Sequence, residues 1–409
     1  MNLAWQRTDA LPKATIGDSI GAALIARALD LVPTLRSRAE ATEQARRVPD
    51  ETIADFRRAQ LTRALLPKRY KGYAEDFGVA ARICEALGRG CPSSAWVYAN
   101  FILLQWQVGL FPVQAQDEVW GSDNDALVSA GYMPVGRAVP VDGGYRVSGS
   151  WNYISGVDNA EWCVLGGHIV DRDGESVEQG FFLLRRTDFA IVDNWHAVGL
   201  TGTGSKGATA KDVFMPRHRF LSLAAVNSGD APGRQVNDHP IFRAPLYGIF
   251  NYFLSGVAFG AVQGAIDDFI DGIKPRTTVG GVTGAQTPLA RLPTIQIALA
   301  EAEAMVDAAR TLVQRDCDNV VATLMAGKTL SLDQRIHNRR SIGFGVRLSK
   351  EAVSGLFDVV GAAGLLNHNL IQRHWRDVHA IAHHLSLNWN MIGSLVGGYR
   401  LGVEPVGMY

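Results

Sequence analysis

Two glycine-punctuated stretches carry the residue types best suited to holding a flat ligand. The first is Ser148-Gly149-Ser150-Trp151-Asn152-Tyr153-Ile154-Ser155-Gly156, and the second is Gly199-Leu200-Thr201-Gly202-Thr203-Gly204-Ser205. Glycine lets backbone come close to a ligand, and hydroxyls supply both donors and acceptors. Trp151 and Tyr153 offer flat apolar surface. Together these suit a planar heteroaromatic cofactor with polar edges, although two β-hairpins with glycine turns would read the same on composition alone.

The elements that must position these stretches change character twice along the chain. Residues 15–45 read as helical, with Leu24, Ala28, Leu31 and Leu35 at helical spacing and Pro33 splitting or kinking the run. Further helices are predicted from Asp50, over Glu75–Leu87 and over Ser93–Phe111. Short β-branched or aromatic runs follow: Leu127–Met133, Ala138–Val141, Tyr145–Tyr153, Glu161–Val170, Gly180–Arg185, Phe189–Trp195 and Gly207–Phe214. Gly143-Gly144 and Asp173-Gly174 mark turns between them. After a loop at Asn227–His239, helical patterns return over Ile295–Leu324, Leu332–Val360 and Val378–Tyr399. The fold class is α+β: an N-terminal helical domain (1–125), a central antiparallel β domain (126–225) and a C-terminal helical bundle (226–409).

Composition narrows the partners. The 409 residues are 47% hydrophobic and 20% charged, an ordinary globular profile. Lys plus Arg and Asp plus Glu are equal at 40 each, so neither nucleic acid nor an acidic membrane is implied. Cys84, Cys91, Cys163 and Cys317 form no C-x-x-C pair, so no metal site is expected, and they read as buried small hydrophobes in a reducing, cytoplasmic setting. The segment from Ala244 to Ile266 lacks any charge and is long enough to span a bilayer. Asn251, Gln263, Ser255 and Pro245 favour instead a buried helix, packed closely through Gly256, Gly260 and Gly264.

The order of these elements, together with Ala95-Trp96-Val97, Gly143-Gly144-Tyr145-Arg146-Val147-Ser148-Gly149, Ser155-Gly156, Asp193-Asn194-Trp195-His196, Gly202-Thr203-Gly204-Ser205, Asp212-Val213-Phe214-Met215-Pro216 and Trp375-Arg376-Asp377-Val378, resembles the acyl-CoA dehydrogenase superfamily. The nearer resemblance is to its flavin-dependent monooxygenase branch, the oxygenase components of two-component aromatic hydroxylases. It implies an acyl-CoA dehydrogenase-like fold and reduced FMN or FAD delivered by a separate flavin reductase. It also implies O2 as co-substrate, oxygen adding to the flavin C4a carbon, a small aromatic or heteroaromatic substrate, and a homotetramer.

The same resemblance implies site residues. Ser155 matches the family serine near flavin N5, and Trp151 on the same motif would face the ring. Thr203 and Ser205 would meet the flavin edge or phosphate. Arg276 matches an arginine that meets the flavin phosphate, with a surface salt bridge as the plain alternative. Gly361 and Ala362 resemble a loop that reaches a neighbouring subunit's flavin, or else a helix cap. His384 stands where this branch places an active-site histidine, able to orient the peroxide or take a proton near neutral pH. Several phenol hydroxylases of the branch carry a histidine on the helix matching Ser93–Phe111; none stands there here, which leaves oxidation at a ring nitrogen or sulfur open. Here Phe101, Leu104 and Trp106 are the candidate substrate-lining residues instead. An acyl-CoA dehydrogenase-like FAD enzyme, or a flavin-binding protein without catalysis, are the alternatives. The former needs a carboxylate base, and Ala382–Asn390 holds none.

Overall fold

The computed structural model describes residues 19–279 and 286–407. The N-terminal region holds α1 (Ile20–Asp30), α2 (Val32–Ala45), α3 (Asp50–Arg58), α4 (Phe77–Gly90), α5 (Pro92–Val108) and α6 (Val113–Trp120). Pro33 sits in the first turn of α2, where its missing N–H costs nothing, and the expected split falls at Leu31. Residues 15–18 of the expected first helix lie outside the described residues.

The central region contains β1 (Val128–Val141), β2 (Gly144–Ile154), β3 (Trp162–Val170), β4 (Ser176–Arg185), β5 (Ala190–Val192), β6 (Lys206–Pro216) and β7 (Phe220–Ser222). They form one sheet in the order β5-β6-β2-β1-β3-β4-β7. The expectation of a purely antiparallel domain needs one correction: β1 and β3 pair in parallel. Strand order is a long-range property that local alternation does not carry. Leu127–Met133 and Ala138–Val141 are likewise one strand, interrupted by a register shift between Gly131 and Gly136 that breaks its alternation.

The C-terminal region contains α7 (Leu223–Ser228), α8 (Leu246–Ile273), a small hairpin of β8 (Thr277–Val279) and β9 (Gln286–Pro288), α9 (Pro293–Met325), α10 (Leu332–Val360), α11 (Leu370–His383) and α12 (Trp389–Arg400). The apolar α8 is the helix flagged for membrane length; 94% of its most apolar window is buried inside the protein. A Cβ at Gly256, Gly260 or Gly264 would strike the carbonyls of Ala81, Glu85 and Arg89, one per turn of α4. The glycine stripe is therefore a helix–helix seam, as the sequence predicts. The run expected as one helix over Val378–Tyr399 is two, α11 and α12, separated by a turn at 384–388 that matters below.

Candidate active site

Ser155 and the 201–205 turn are brought together because β2 and β6 are paired strands. Their ladder loses register between Trp151 and Ile154, Tyr153 adopts φ of 64° and Gly156 φ of 72°. The chain thereby turns out of the sheet at Ser155, and the Gly156 N–H donates to the Thr203 carbonyl at 3.0 Å. Three hydroxyls then line up. Thr203 Oγ1 donates to the Leu200 carbonyl (2.8 Å) and lies 2.7 Å from Ser205 Oγ, which lies 2.8 Å from Ser155 Oγ.

Counting protons fixes the direction of this chain. The Leu200 carbonyl can only accept, so the Thr203 proton is spent there. Ser205 must then donate to Thr203, and Ser155 to Ser205. Ser155 Oγ also accepts the indole N–H of Trp96 at 3.1 Å. A hydroxyl oxygen has two lone pairs, so Ser155 keeps one acceptor position for a further N–H or O–H donor. Thr203 and Ser205 are buried behind it and act as its support.

His384 approaches from the bundle. α11 ends at His383, and the His384 carbonyl accepts the N–H groups of Leu387 (2.8 Å) and Asn388 (3.0 Å). The imidazole meets the Trp96 ring edge-on at 5.4 Å and the Phe250 ring at 6.3 Å. Trp96 on α5 thus touches both Ser155 and His384. Burial first, and then the Arg339 cation, push the His384 pKa down to about 4, so the ring is neutral near pH 7. This corrects the expectation of a histidine titrating near neutrality. His384 Nε2 has no hydrogen-bond partner among the described residues, whereas His383 is exposed and its Nδ1 lies 2.7 Å from the His379 carbonyl on its own helix.

The two halves are clamped by α11. Asp377 accepts the Leu200 N–H at 2.7 Å, and Arg376 donates to the Val198 carbonyl at 2.7 Å. Burial pushes the Asp377 carboxyl up to about 6. The clamp holds the start of the Thr203 turn against the helix that delivers His384.

Other sequence-derived candidates lie elsewhere. Trp151 is 1% exposed and donates to the Gly166 carbonyl at 2.7 Å, inside the β-domain core. It does not face the Ser155 cluster; Tyr153 shares its strand parity, but the register shift between Trp151 and Ile154 and the left-handed φ of 64° at Tyr153 turn that ring outward, 71% exposed. Trp106 donates to the Ile241 carbonyl at 2.9 Å and packs on Phe77, so its one polar atom is already used. Leu104 is wholly buried, and Phe101 packs where a Cβ on Gly156 would fall. Arg276, at the end of α8, has no side-chain partner among the described residues. Gly361 (φ 70°) and Ala362 are exposed after α10. Neither Arg276 nor this turn touches the Ser155–His384 cluster in one chain. Trp96, Phe250, Arg339 and Ser386 were not singled out by sequence; the Ala95-Trp96-Val97 motif was the available signal for the first.

Comparison with known proteins agrees with this geometry. Residues 252–389 match the family model for the acyl-CoA dehydrogenase C-terminal domain. The chain is 37% identical to the oxygenase component of an FADH(2)-dependent resorcinol hydroxylase of Rhizobium sp. (strain MTP-10005), over 94% of this chain and 96% of that one. Among solved structures, 3-HSA hydroxylase from Rhodococcus sp. RHA1 superposes with a TM-score of 0.89 at 33% identity, covering 94% and 98% of the two chains. XiaF from Streptomyces sp., in complex with FADH2 and glycerol, gives 0.86 at 28% identity, covering 95% and 97%.

Proposed function

Because this chain belongs to the oxygenase components of two-component flavin-dependent aromatic hydroxylases, on the acyl-CoA dehydrogenase fold, we propose that Ser155 and His384 flank its reduced flavin and a phenolic substrate. The single observation carrying this reading is the shared contact to Trp96, which joins two residues far apart in sequence at one corner.

The residues suit the cofactor. Reduced flavin presents an N–H donor, and Ser155 Oγ keeps one acceptor position after its partners are counted. When bound, reduced flavin supplies the electrons for activating dioxygen; one oxygen atom enters the aromatic ring and the other leaves as water. Ser155 holds the flavin N–H, Trp96 and Phe250 exclude water, and the neutral His384 meets the reacting oxygen through Nε2. Arg276 and the Gly361–Ala362 turn take the phosphate end, with a second copy of the chain completing that end in a homotetramer. We take FADH2 as the preferred flavin, from the description of the resorcinol hydroxylase and the XiaF complex, and a cytoplasmic enzyme fed by a separate reductase. The turn at 384–388 offers no carboxylate for removing an α proton, which disfavours acyl-CoA dehydrogenation.

The test is turnover with isotopically labelled dioxygen, a flavin reductase and NADH, on resorcinol and simple phenols, with FAD or FMN. One labelled atom in the product, and more product with FAD, is expected. Oxygen consumed with no labelled product from any phenol would reject the phenolic substrate class.

A further inference from the structure

Arg339 is a buried cation with no anion beside it among the described residues. It lies on α10, is 5% exposed, and donates through Nη1 to the Ser386 carbonyl at 2.6 Å, while its buried Nε has no partner. Burial alone lowers its pKa, to about 10, so it stays charged at neutral pH without help from a carboxylate. Burying an unpaired cation is costly, and such a group persists where it does something a neutral side chain cannot.

Among the described residues, its one hydrogen bond leads to the turn that holds His384. Ser386 sits in the turn between α11 and α12, with its carbonyl on Arg339. Its backbone N–H donates to His384 Nδ1 at 3.3 Å, and its hydroxyl lies 2.7 Å from the same nitrogen. A ring nitrogen that accepts an N–H uses its in-plane lone pair and carries no proton, so the neutral ring keeps its proton on Nε2. The Ser386 hydroxyl then donates to the same lone pair as the shorter arm of a three-centre hydrogen bond, with the backbone N–H as the longer arm. The charge on Arg339 works in the same direction, because a second cation beside it is disfavoured.

We propose that Arg339 and Ser386 are positioning residues that fix His384 as the neutral, Nε2-protonated tautomer, so that it meets the reacting oxygen as a hydrogen-bond donor and never as a cation. An imidazolium there would pass its proton to the oxygen early and favour loss of hydrogen peroxide. Among the described residues, the groups facing His384 are Arg339 from α10, the uncharged rings of Trp96 from α5 and Phe250 from α8, and Ser386 from its own turn. The functional consequence rests on the reading of His384 given above; the tautomer itself does not.

The test is long-range proton–nitrogen NMR of the full chain with labelled histidine and no flavin, in which His384→Asn identifies the resonance. Wild type is expected to show His384 neutral at pH 7 with the proton on Nε2. In Arg339→Met its protonation midpoint should rise by about one pH unit or more, and in Arg339→Lys it should stay near wild type. In parallel, peroxide formed per NADH should rise several-fold in Arg339→Met on acidification and not in Arg339→Lys. A wild-type ring protonated on Nδ1 or on both nitrogens at pH 7 overturns the proposal without reference to any variant, as does an unchanged midpoint in a folded Arg339→Met. If the tautomer is as expected but His384→Asn hydroxylates with full coupling, the reading of His384 as an oxygen-handling residue fails instead.

Discussion

The two ends of the proposed flavin site are built in opposite ways. At the ring end, Thr203, Ser205 and Ser155 pass their hydrogen bonds in a single direction, Trp96 closes the chain, and His384 packs against it. All of this comes from one chain and is largely buried. At the other end, Arg276 has no side-chain partner among the described residues, and the turn after Gly361 leaves Leu365 71% and Leu366 51% exposed. Preorganised donors and acceptors act on the reacting atoms. A charged contact to a distant phosphate contributes to binding of the ground state. The ring end should therefore control what happens to oxygen, and the open end how tightly flavin is held.

Variants can break or sharpen that division. The largest effect is expected from His384→Ala: oxygen is still consumed, but peroxide replaces product, with the transfer step slowed about 10²–10³-fold as for loss of one oriented donor. His383→Ala, on the exposed side of α11, should leave coupling near wild type. Peroxide and product yields per NADH measure both, and a damaged His383→Ala beside a healthy His384→Ala would mean the wrong histidine is assigned.

Arg276→Ala comes next. Loss of a charge-assisted contact, roughly 1.5–3 kcal/mol, should weaken reduced-flavin binding by about one to two orders of magnitude while coupling at saturating flavin is retained. Anaerobic titration reads this directly; unchanged affinity would remove Arg276 from the site.

Ser155→Ala should cost less, about tenfold or below in the time reduced flavin survives oxygen on the protein, the value of one neutral hydrogen bond. The comparison is reversed if this variant loses flavin affinity and keeps that lifetime.

The smallest effect concerns pH. With His384 depressed to about 4 from the usual 6.5, its charge does not change over roughly pH 6 to 8, and coupling should be flat there. In stability the sign is opposite to a paired histidine. The unfolded chain binds this proton below about 6.5 and the folded chain only near 4, so His384 makes stability fall as pH drops through that window. An inflection of coupling near 6.5 would show a solvent-exposed imidazole.

Much of this was legible from local pattern. The helices, the α8 seam and the strand ends carrying Ser155 and Ser205 follow from periodicity and glycine placement, whereas His384 was offered only by resemblance to the monooxygenase branch after Arg376-Asp377-Val378. Three features were not legible, for physical reasons. Trp96 lies on a helix buried on nearly every side, so no face of α5 stands out in sequence. Trp151 and Tyr153 share a strand parity, and only the register shift beside them sends one into the core and the other outward. Arg339 looks like an ordinary arginine in a helix rich in them. Its burial depends on the turn after α11, where an unbroken helix was expected.

The central claim is that this chain takes up reduced flavin and governs its reaction with oxygen at the Ser155–His384 corner. Stopped-flow mixing of reduced FAD with oxygenated buffer, with and without the protein, tests it most directly. Oxidised flavin should appear markedly more slowly with the protein present, and Ser155→Ala should recover part of the free-flavin rate. Identical rates with and without the wild-type protein would contradict it.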